Sequence, residues 1–542
     1  MIDLQKYLKW ISLVMVIAVA SCSKDSEEEE LVLPASLSFV ENTLPTGELS
    51  VEEGTVNFDV EWAHTKWTVK AGDAVAGQKF ITKVSPSLAG SVDEAQTRST
   101  VSLTYWSNTT HTVNRQKLIL SSTTENLSDT IIISQAAKPV QPINVTFDLN
   151  TTYQTISGFG GANMIWGTDY LTETELDLAF GTGDTDMGLS IYRVRLSSSK
   201  NDWEGLVNSI KGANQRGATV LASPWSPPAE WKSNNSTSGG GYLLPEHYAD
   251  FADYINEFIQ FMADRGATVD VVSIQNEPDW QVTYEGCEYT FDEMFNFVKN
   301  HAGTIQGAKV LAAESLNSNH AYTDLIMNDA LANENLDIVG GHLYGSGLAT
   351  YPLAEQKGKE IWMTEHLLNL NSGNNPANWT ENTDVTTIWN ETMEMVKEIQ
   401  TCMSYNWNAY IWWYIRRYYS FLGDGERGTS RGQILKRGYA MSQFSKFIRP
   451  GYVRIKTQIE NSTTGLMITA YEGENEVVAV IVNPNSSAVP GVTLQAPSTG
   501  ASAVAYSTSE FVNRKMESLT AENDKFLLEV PASSVTTVVF GN

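Results

Sequence analysis

Three cysteines in 542 residues are too few for a disulfide framework. Cys22, Cys287 and Cys402 lie far apart and share no metal-ligand spacing, so a thiolate metal site is excluded, and Cys287 and Cys402 are expected to be buried thiols. Basic residues are scarce: 36 Lys and Arg stand against 63 Asp and Glu, for a formal net charge of −27. Phosphate backbones need basic patches, so a nucleic-acid partner is excluded. Long apolar runs are missing too. The stretch 11–19 is too short to cross a membrane as a helix.

That short run still has a meaning. Lys6 and Lys9 precede it and Val19-Ala-Ser-Cys22 follows it, the layout of a targeting segment, 1–22, rather than of a fold element. The tetrapeptide resembles the bacterial lipobox, which implies lipidation of Cys22 at a new N-terminus. An ordinary secretory signal with a chance cysteine is the simpler alternative. The acidic tether that follows, 23–32, includes Ser23-Lys-Asp-Ser-Glu-Glu-Glu-Glu30. It is similar to the export tag of surface lipoproteins in Bacteroidetes-type bacteria, although a charge run alone is a solvated linker. The resemblance implies a cell-surface protein held in a Gram-negative outer membrane by a lipid anchor.

The length calls for two or three domains. Residues 33–138 alternate in short runs such as Thr55-Val-Asn-Phe-Asp-Val60 and Thr130-Ile-Ile-Ile-Ser134, separated by turn residues, which predicts a small β-sandwich. Val60-Glu-Trp-Ala, Trp67-Thr-Val, Arg115-Gln-Lys-Leu-Ile-Leu and Ile133-Ser-Gln-Ala-Ala resemble a BACON domain, an Ig-like module of bacterial glycan enzymes. It is expected to be a spacer or a sugar binder. After the Pro-punctuated linker Lys138-Pro-Val-Gln-Pro142, strands and helices alternate across 156–450, and eight strands can be counted. That predicts a (β/α)8 barrel. Tyr248, Phe251, Ile255, Phe258 and Met262 form one helical stripe, and Thr290-Phe-Asp-Glu293 reads as a capping box. Residues 451–542 return to β pattern, and 143–155 is expected to join them in a side β-sandwich. The fold class is thus α/β, a barrel with a side sandwich, behind an Ig-like domain.

The chemistry is concentrated at two strand ends. Val271-Val-Ser-Ile-Gln-Asn-Glu-Pro-Asp-Trp280 is an apolar, β-branched run that stops at Asn276-Glu277-Pro278, because proline cannot extend a ladder. Lys359-Glu-Ile-Trp-Met-Thr-Glu-His366 also ends in an acid, Glu365. Two acids at the mouths of different barrel strands are what glycosidic cleavage needs, one to protonate the leaving oxygen and one on the opposite face. A separation of about 5–5.5 Å is expected if the second is a nucleophile. Asn276, beside the acid, is placed to hold a sugar hydroxyl. His342 and His366 lie close by, but share no ligand spacing, and an orienting or structural role is expected.

Ser157-Gly-Phe-Gly-Gly161, Ser223-Pro-Trp-Ser-Pro-Pro228, Ser273-Ile-Gln-Asn-Glu-Pro-Asp279, Gly341-His-Leu-Tyr-Gly345 and Trp362-Met-Thr-Glu365 occur in that order. Together they resemble glycoside hydrolase family 30. Ile411-Trp-Trp-Tyr-Ile-Arg-Arg417, Lys436-Arg-Gly-Tyr439 and Phe444-Ser-Lys-Phe-Ile-Arg-Pro-Gly-Tyr452 resemble its subfamily 8. The resemblance implies a retaining endo-β-1,4-xylanase that needs no cofactor or metal, with Glu277 as general acid/base and Glu365 as nucleophile. It implies a cleft lined by Trp225, Tyr344 and Trp413, and a glucuronate branch gripped by Arg417 and Tyr419. Trp166, Trp231 and Trp280 are candidate sugar platforms, or packing. One of the neighbouring pair Arg416 and Arg417 is expected to be structural. The partner is then a xylan chain, and the protein is expected to be a monomer.

One stretch departs from the family pattern. Where glucuronate-dependent members carry a Tyr and a Ser, this chain has His366-Leu-Leu-Asn-Leu-Asn371, and Leu367 has no side-chain donor. The alternatives are another family 30 activity, either a β-1,6-glucanase or an exo-acting β-glycosidase, and a non-catalytic surface glycan binder.

Overall fold

The computed structural model describes residues 34–166, 169–460 and 464–541, so the targeting segment with Cys22 and the acidic tether lie outside the described residues. The chain divides into two compact units, Met1–Val140 and Gln141–Asn542. The first contains two four-stranded sheets. Strand Gly54–Ala63 pairs antiparallel with Thr97–Tyr105, and Thr65–Ala76 with Asn114–Ser122. Alternate residues of these strands, among them Phe58, Val60, Trp67, Leu103, Leu118 and Leu120, are buried in a core of their own.

The second unit is built on a closed barrel of eight parallel strands. They are β1 (Gly158–Ala162), β2 (Ile191–Leu196), β3 (Thr219–Pro224), β4 (Val271–Ser273), β5 (Lys309–Ser315), β6 (Ile338–His342), β7 (Glu360–Glu365) and β8 (Ala409–Trp413). Ile191, Leu221, Val271, Leu311, Ile338, Trp362, Ala409 and Ile411 form one buried cluster, supplied by every strand except β1. This is the side-chain layer that plugs a barrel of this kind. The Gly-rich sequence of β1 follows from it. A Cβ on Gly160 would meet the Ile191 carbonyl carbon at 2.7 Å, so only glycine lets β1 close against β2.

Two residues beyond the plug on β2, β3 and β4 come Arg193, Ser223 and Ser273, all buried. A strand's period of two keeps those positions on the plug's face, so the interior turns polar towards the strands' C-terminal ends. Outside the barrel, all five residues of the helical stripe are buried along the helix Tyr248–Ala263. The capping box Thr290/Glu293 opens the helix Phe291–Asn300, with both reciprocal hydrogen bonds made.

The side layer is a ten-stranded sheet, and both flanks of the barrel contribute to it. Strand Ile143–Thr155 pairs antiparallel with Val453–Glu460 and parallel with Val489–Gln495. Cys287 and Cys402 are buried free thiols.

Candidate active site

The ladder of β4 ends at Ser273, earlier than the apolar run suggested, yet the chain beyond it stays tied to both neighbouring strands. Ile274 N–H donates to Leu311 O at 3.1 Å, Asn276 N–H to Pro224 O at 2.9 Å and Glu277 N–H to Glu314 O at 3.1 Å. Glu277 has a φ of +49°, uncommon for a residue with a side chain. Glu365 is the last residue of β7. A register shift between Gly341 and His342 pairs His342 of β6 directly with Glu365. An oxygen of Glu277, an oxygen of Glu365 and a ring nitrogen of His342 all lie within 4.8 Å of one another. That closeness is the geometry of direct nucleophilic attack, since an inverting pair stands about 6.5–9.5 Å apart.

Arg193, fully buried, organises the nucleophile side. Its Nη1 donates to Glu365 Oε2 at 2.5 Å, its Nη2 to Asn276 Oδ1 at 2.7 Å and its Nε to Ser223 Oγ at 3.2 Å. Binding Asn276 through its oxygen leaves the amide NH2 as that residue's donor at the cleft wall. The guanidinium also lies over Trp225, 5.0 Å from the ring centre. Tyr344 donates its hydroxyl to Glu365 Oε1 at 2.5 Å, so both oxygens of Glu365 are held.

On the acid/base side, His342 Nδ1 lies 3.0 Å from Glu277 Oε1. Burial alone would lower the His342 pKa, but the charges of Glu365, Glu277 and Glu314 outweigh it and push it up to about 9. Glu277 has a raised pKa. Burial is the largest cause and the charge of Glu365 adds to it, against His342 and Arg193. The trio Glu277, His342 and Glu365 has the atoms of a metal constellation. Within it His342 Nδ1 already pairs with Glu277, and Glu365 with Arg193.

The carboxylates open into a cleft of about 580 Å³ that Asn276, Trp166, Trp225, Tyr344 and Trp413 also line, all of them residues read from the sequence. Ser238, Trp280, Tyr284, Glu285, Leu316 and Leu370 complete the wall. Trp280 and Tyr284 are half exposed, while Trp225 is buried and Trp231 packs outside the cleft against His247 and Tyr254. The loops after β3 and β4 are joined by Lys232, whose Nζ donates to Gly240 O at 2.7 Å and Gly286 O at 2.5 Å.

Arg417 and Tyr419 are not among the residues lining this cleft. Arg417 is ion-paired with Asp169 and lies over Tyr414, 4.3 Å from the ring centre. Arg416 is buried between Asp169 and Glu175. Tyr419 is buried, edge-on to Tyr418. In the stretch after the nucleophile, Leu370 faces the cleft, whereas Leu367 lines a separate cavity behind it. His366 meets Glu398 through Nδ1 and borders that same cavity.

Sequence reasoning passed over Arg193 and Glu314. Each carried a signal: Arg193 is a charge inside an otherwise apolar strand, and Glu314 ends Leu311-Ala-Ala-Glu314 as the two catalytic candidates end their strands.

The chain was compared with known proteins. The family model "O-Glycosyl hydrolase family 30" matches residues 197–336. A glucuronoxylanase, XynC of Bacillus subtilis (strain 168), is 36% identical over 406 residues, covering 73% of this chain and 91% of that protein. Among solved structures, the family 30 subfamily 8 xylanase Xyn30A from Clostridium acetobutylicum superposes with a TM-score of 0.65 at 33% identity. That match covers 74% of this chain and all (100%) of the other. A GH30 endoxylanase from Clostridium papyrosolvens C71 gives 0.62 at 33% identity, with the same 74% and 100% coverage.

Proposed function

The chain belongs to glycoside hydrolase family 30, and from that premise we propose that it is a retaining endo-β-1,4-xylanase acting on glucuronoxylan or a related substituted xylan. The observation that carries this is the pair of carboxylates within 4.8 Å at the open end of the barrel. Glu365, its two oxygens held by Arg193 and Tyr344, attacks the anomeric carbon and forms a glycosyl ester. Glu277 gives its proton to the departing glycosidic oxygen. In the second half Glu277, now a carboxylate, takes a proton from water as that water displaces the ester. The relatives' descriptions as glucuronoxylanase and xylanases support the substrate.

A second reading, in which the glucuronate branch is not required, draws on two observations. Arg417 already has a carboxylate partner in Asp169, and Leu370 presents no donor to the cleft. Product analysis on glucuronoxylan, arabinoxylan and unbranched xylan, side by side, separates the two. If Arg417 grips the branch, Arg417→Ala slows only the acidic substrate. Equal wild-type rates on all three polymers would remove glucuronate recognition from the proposal.

The reading extends to the cell. Cys22 carries the lipid that anchors the enzyme to the outer surface, and the first unit is a BACON-like spacer. Cys22→Ser should move the protein from the membrane to the soluble fraction; retention in the membrane would refute the anchor.

A further inference from the structure

A third acid stands behind the catalytic two. Glu314 lies near the end of β5 with no exposure to solvent. A register shift between Ala313 and Ser315 sets it apart from the regular ladder to β6. Its Oε1 is 3.0 Å from Nη2 of Arg193 and 3.7 Å from Nε2 of His342. Arg193 in turn holds Glu365, and His342 holds Glu277. Carboxyl groups and cations from five parts of the barrel therefore alternate: Glu365, Arg193, Glu314, His342, Glu277. The backbone repeats the link, because Glu277 N–H donates to Glu314 O, and both residues have a left-handed φ, +49° and +50°. Such a conformation persists only where the surroundings over-determine it.

We propose that Glu314 is a positioning residue for both catalytic carboxylates, a single buried carboxylate that holds Arg193 to the nucleophile and His342 to the acid/base. The proposal rests on the roles given above to Glu277 and Glu365. Its logic lies in how charge moves during a double displacement. In the first half the negative charge leaves Glu365, which becomes an ester, and appears on Glu277, which has lost its proton. In the second half it returns. A cation stands at each end of the path, Arg193 and His342, and Glu314 keeps both in place. Glu314 also tempers His342. An uncompensated imidazolium would favour the carboxylate form of Glu277, which would then release its proton to solvent before the leaving oxygen needs it.

The groups around Glu314 are Arg193 from β2, the Ser273 hydroxyl from β4 and His342 from β6, with Glu277, Tyr344 and Glu365 beyond them. Burial would raise the pKa of Glu314, but Arg193 and then His342 outweigh it and hold it down at about 2.

The test is Glu314→Gln, assayed across pH on polymeric xylan and on 2,4-dinitrophenyl β-xylobioside, whose leaving group departs without a proton. Glu365, the larger influence on His342, still favours the charged imidazole, so with the compensating charge of Glu314 gone Glu277 loses its proton more easily. The basic limb of kcat/KM on xylan should move to lower pH by about one unit, with kcat falling about 100-fold, and KM should hold. The aryl substrate should lose far less. Equal losses on both substrates with an unmoved limb would mean a merely structural role and would overturn the proposal. His342→Gln gives a second reading of opposite sign. Removing the cation should move the limb to higher pH, and a limb that stays or falls also overturns the proposal, even if Glu314→Gln does not fold. Failure of the underlying assignment would look different: Glu277→Gln or Glu365→Gln would remain active.

Discussion

Glu277 shows how one residue's environment sets its role. Its raised pKa comes first from burial and then from the charge of Glu365, and the hydrogen bond to His342 and the charges of His342 and Arg193 do not cancel it. A carboxyl so placed keeps its proton where an ordinary glutamate, at about 4.3, has lost it. Catalysis that needs the protonated form therefore persists on the acid side and declines as pH rises through the raised value. The basic limb of kcat/KM on xylan should lie above the ordinary glutamate range and should vanish in Glu277→Ala assayed with an activated aryl substrate. On xylan, Glu277→Ala should lose about 10²–10⁴-fold, the usual share of general acid catalysis. Glu365→Ala should abolish turnover. Full activity in either variant would end the catalytic assignment of that residue.

Elements decide how firmly those residues are held. The loops after β3 and β4 carry Ser238, Trp280, Tyr284 and Glu285 to the cleft wall, and neither loop is regular structure there. They are joined through the buried Lys232 and its two carbonyl partners, and the second loop is tied to β2 by Arg195, which ion-pairs with Glu285 at 2.5 Å and lies over Trp166. Lys232→Met keeps the apolar stem but leaves the Gly240 and Gly286 carbonyls without that donor. The wall should loosen while the carboxylates, on other supports, stay in place. The expected result is a higher KM for xylan with kcat nearly unchanged. A fall in kcat at constant KM would show that the lysine supports the reacting groups instead. The elements were largely legible beforehand, because period and capping chemistry are local: the stripe from Tyr248 to Met262 and the Thr290/Glu293 box are both formed as read. The early end of the β4 ladder was not legible, since pairing depends on how far the neighbouring strands run.

In the whole molecule, catalysis belongs to the second unit. The core of the first unit is separate from those of the barrel and the side sheet, and the strand Ile143–Thr155, which starts the side sheet, begins after the division between the units. A chain beginning at Gln141 should therefore fold and hydrolyse soluble glucuronoxylan at a rate within about twofold of the full chain, as expected of a unit with its own core. Loss of activity in that chain would show that the first unit contributes to catalysis. Removing residues 143–155 as well should instead unfold the protein, because that strand lies between Val453–Glu460 and Val489–Gln495 in the side sheet.

The order of strands, the alternation with helices and the two acids at strand ends follow from the sequence alone. They are written in neighbouring residues, where apolar period, proline and turn chemistry act within a few positions. The companions of those acids are another matter. Nothing local marks Arg193, Glu314 and His342 as partners, because they meet only when a closed ring of strands sets distant inward positions at one height and two register shifts adjust them. The same holds for Arg417, whose charge any sequence reading leaves free, and which the fold brings to Asp169. Which charges face each other across a barrel is fixed by closure and stagger, and these are properties of the assembled sheet, not of any one strand.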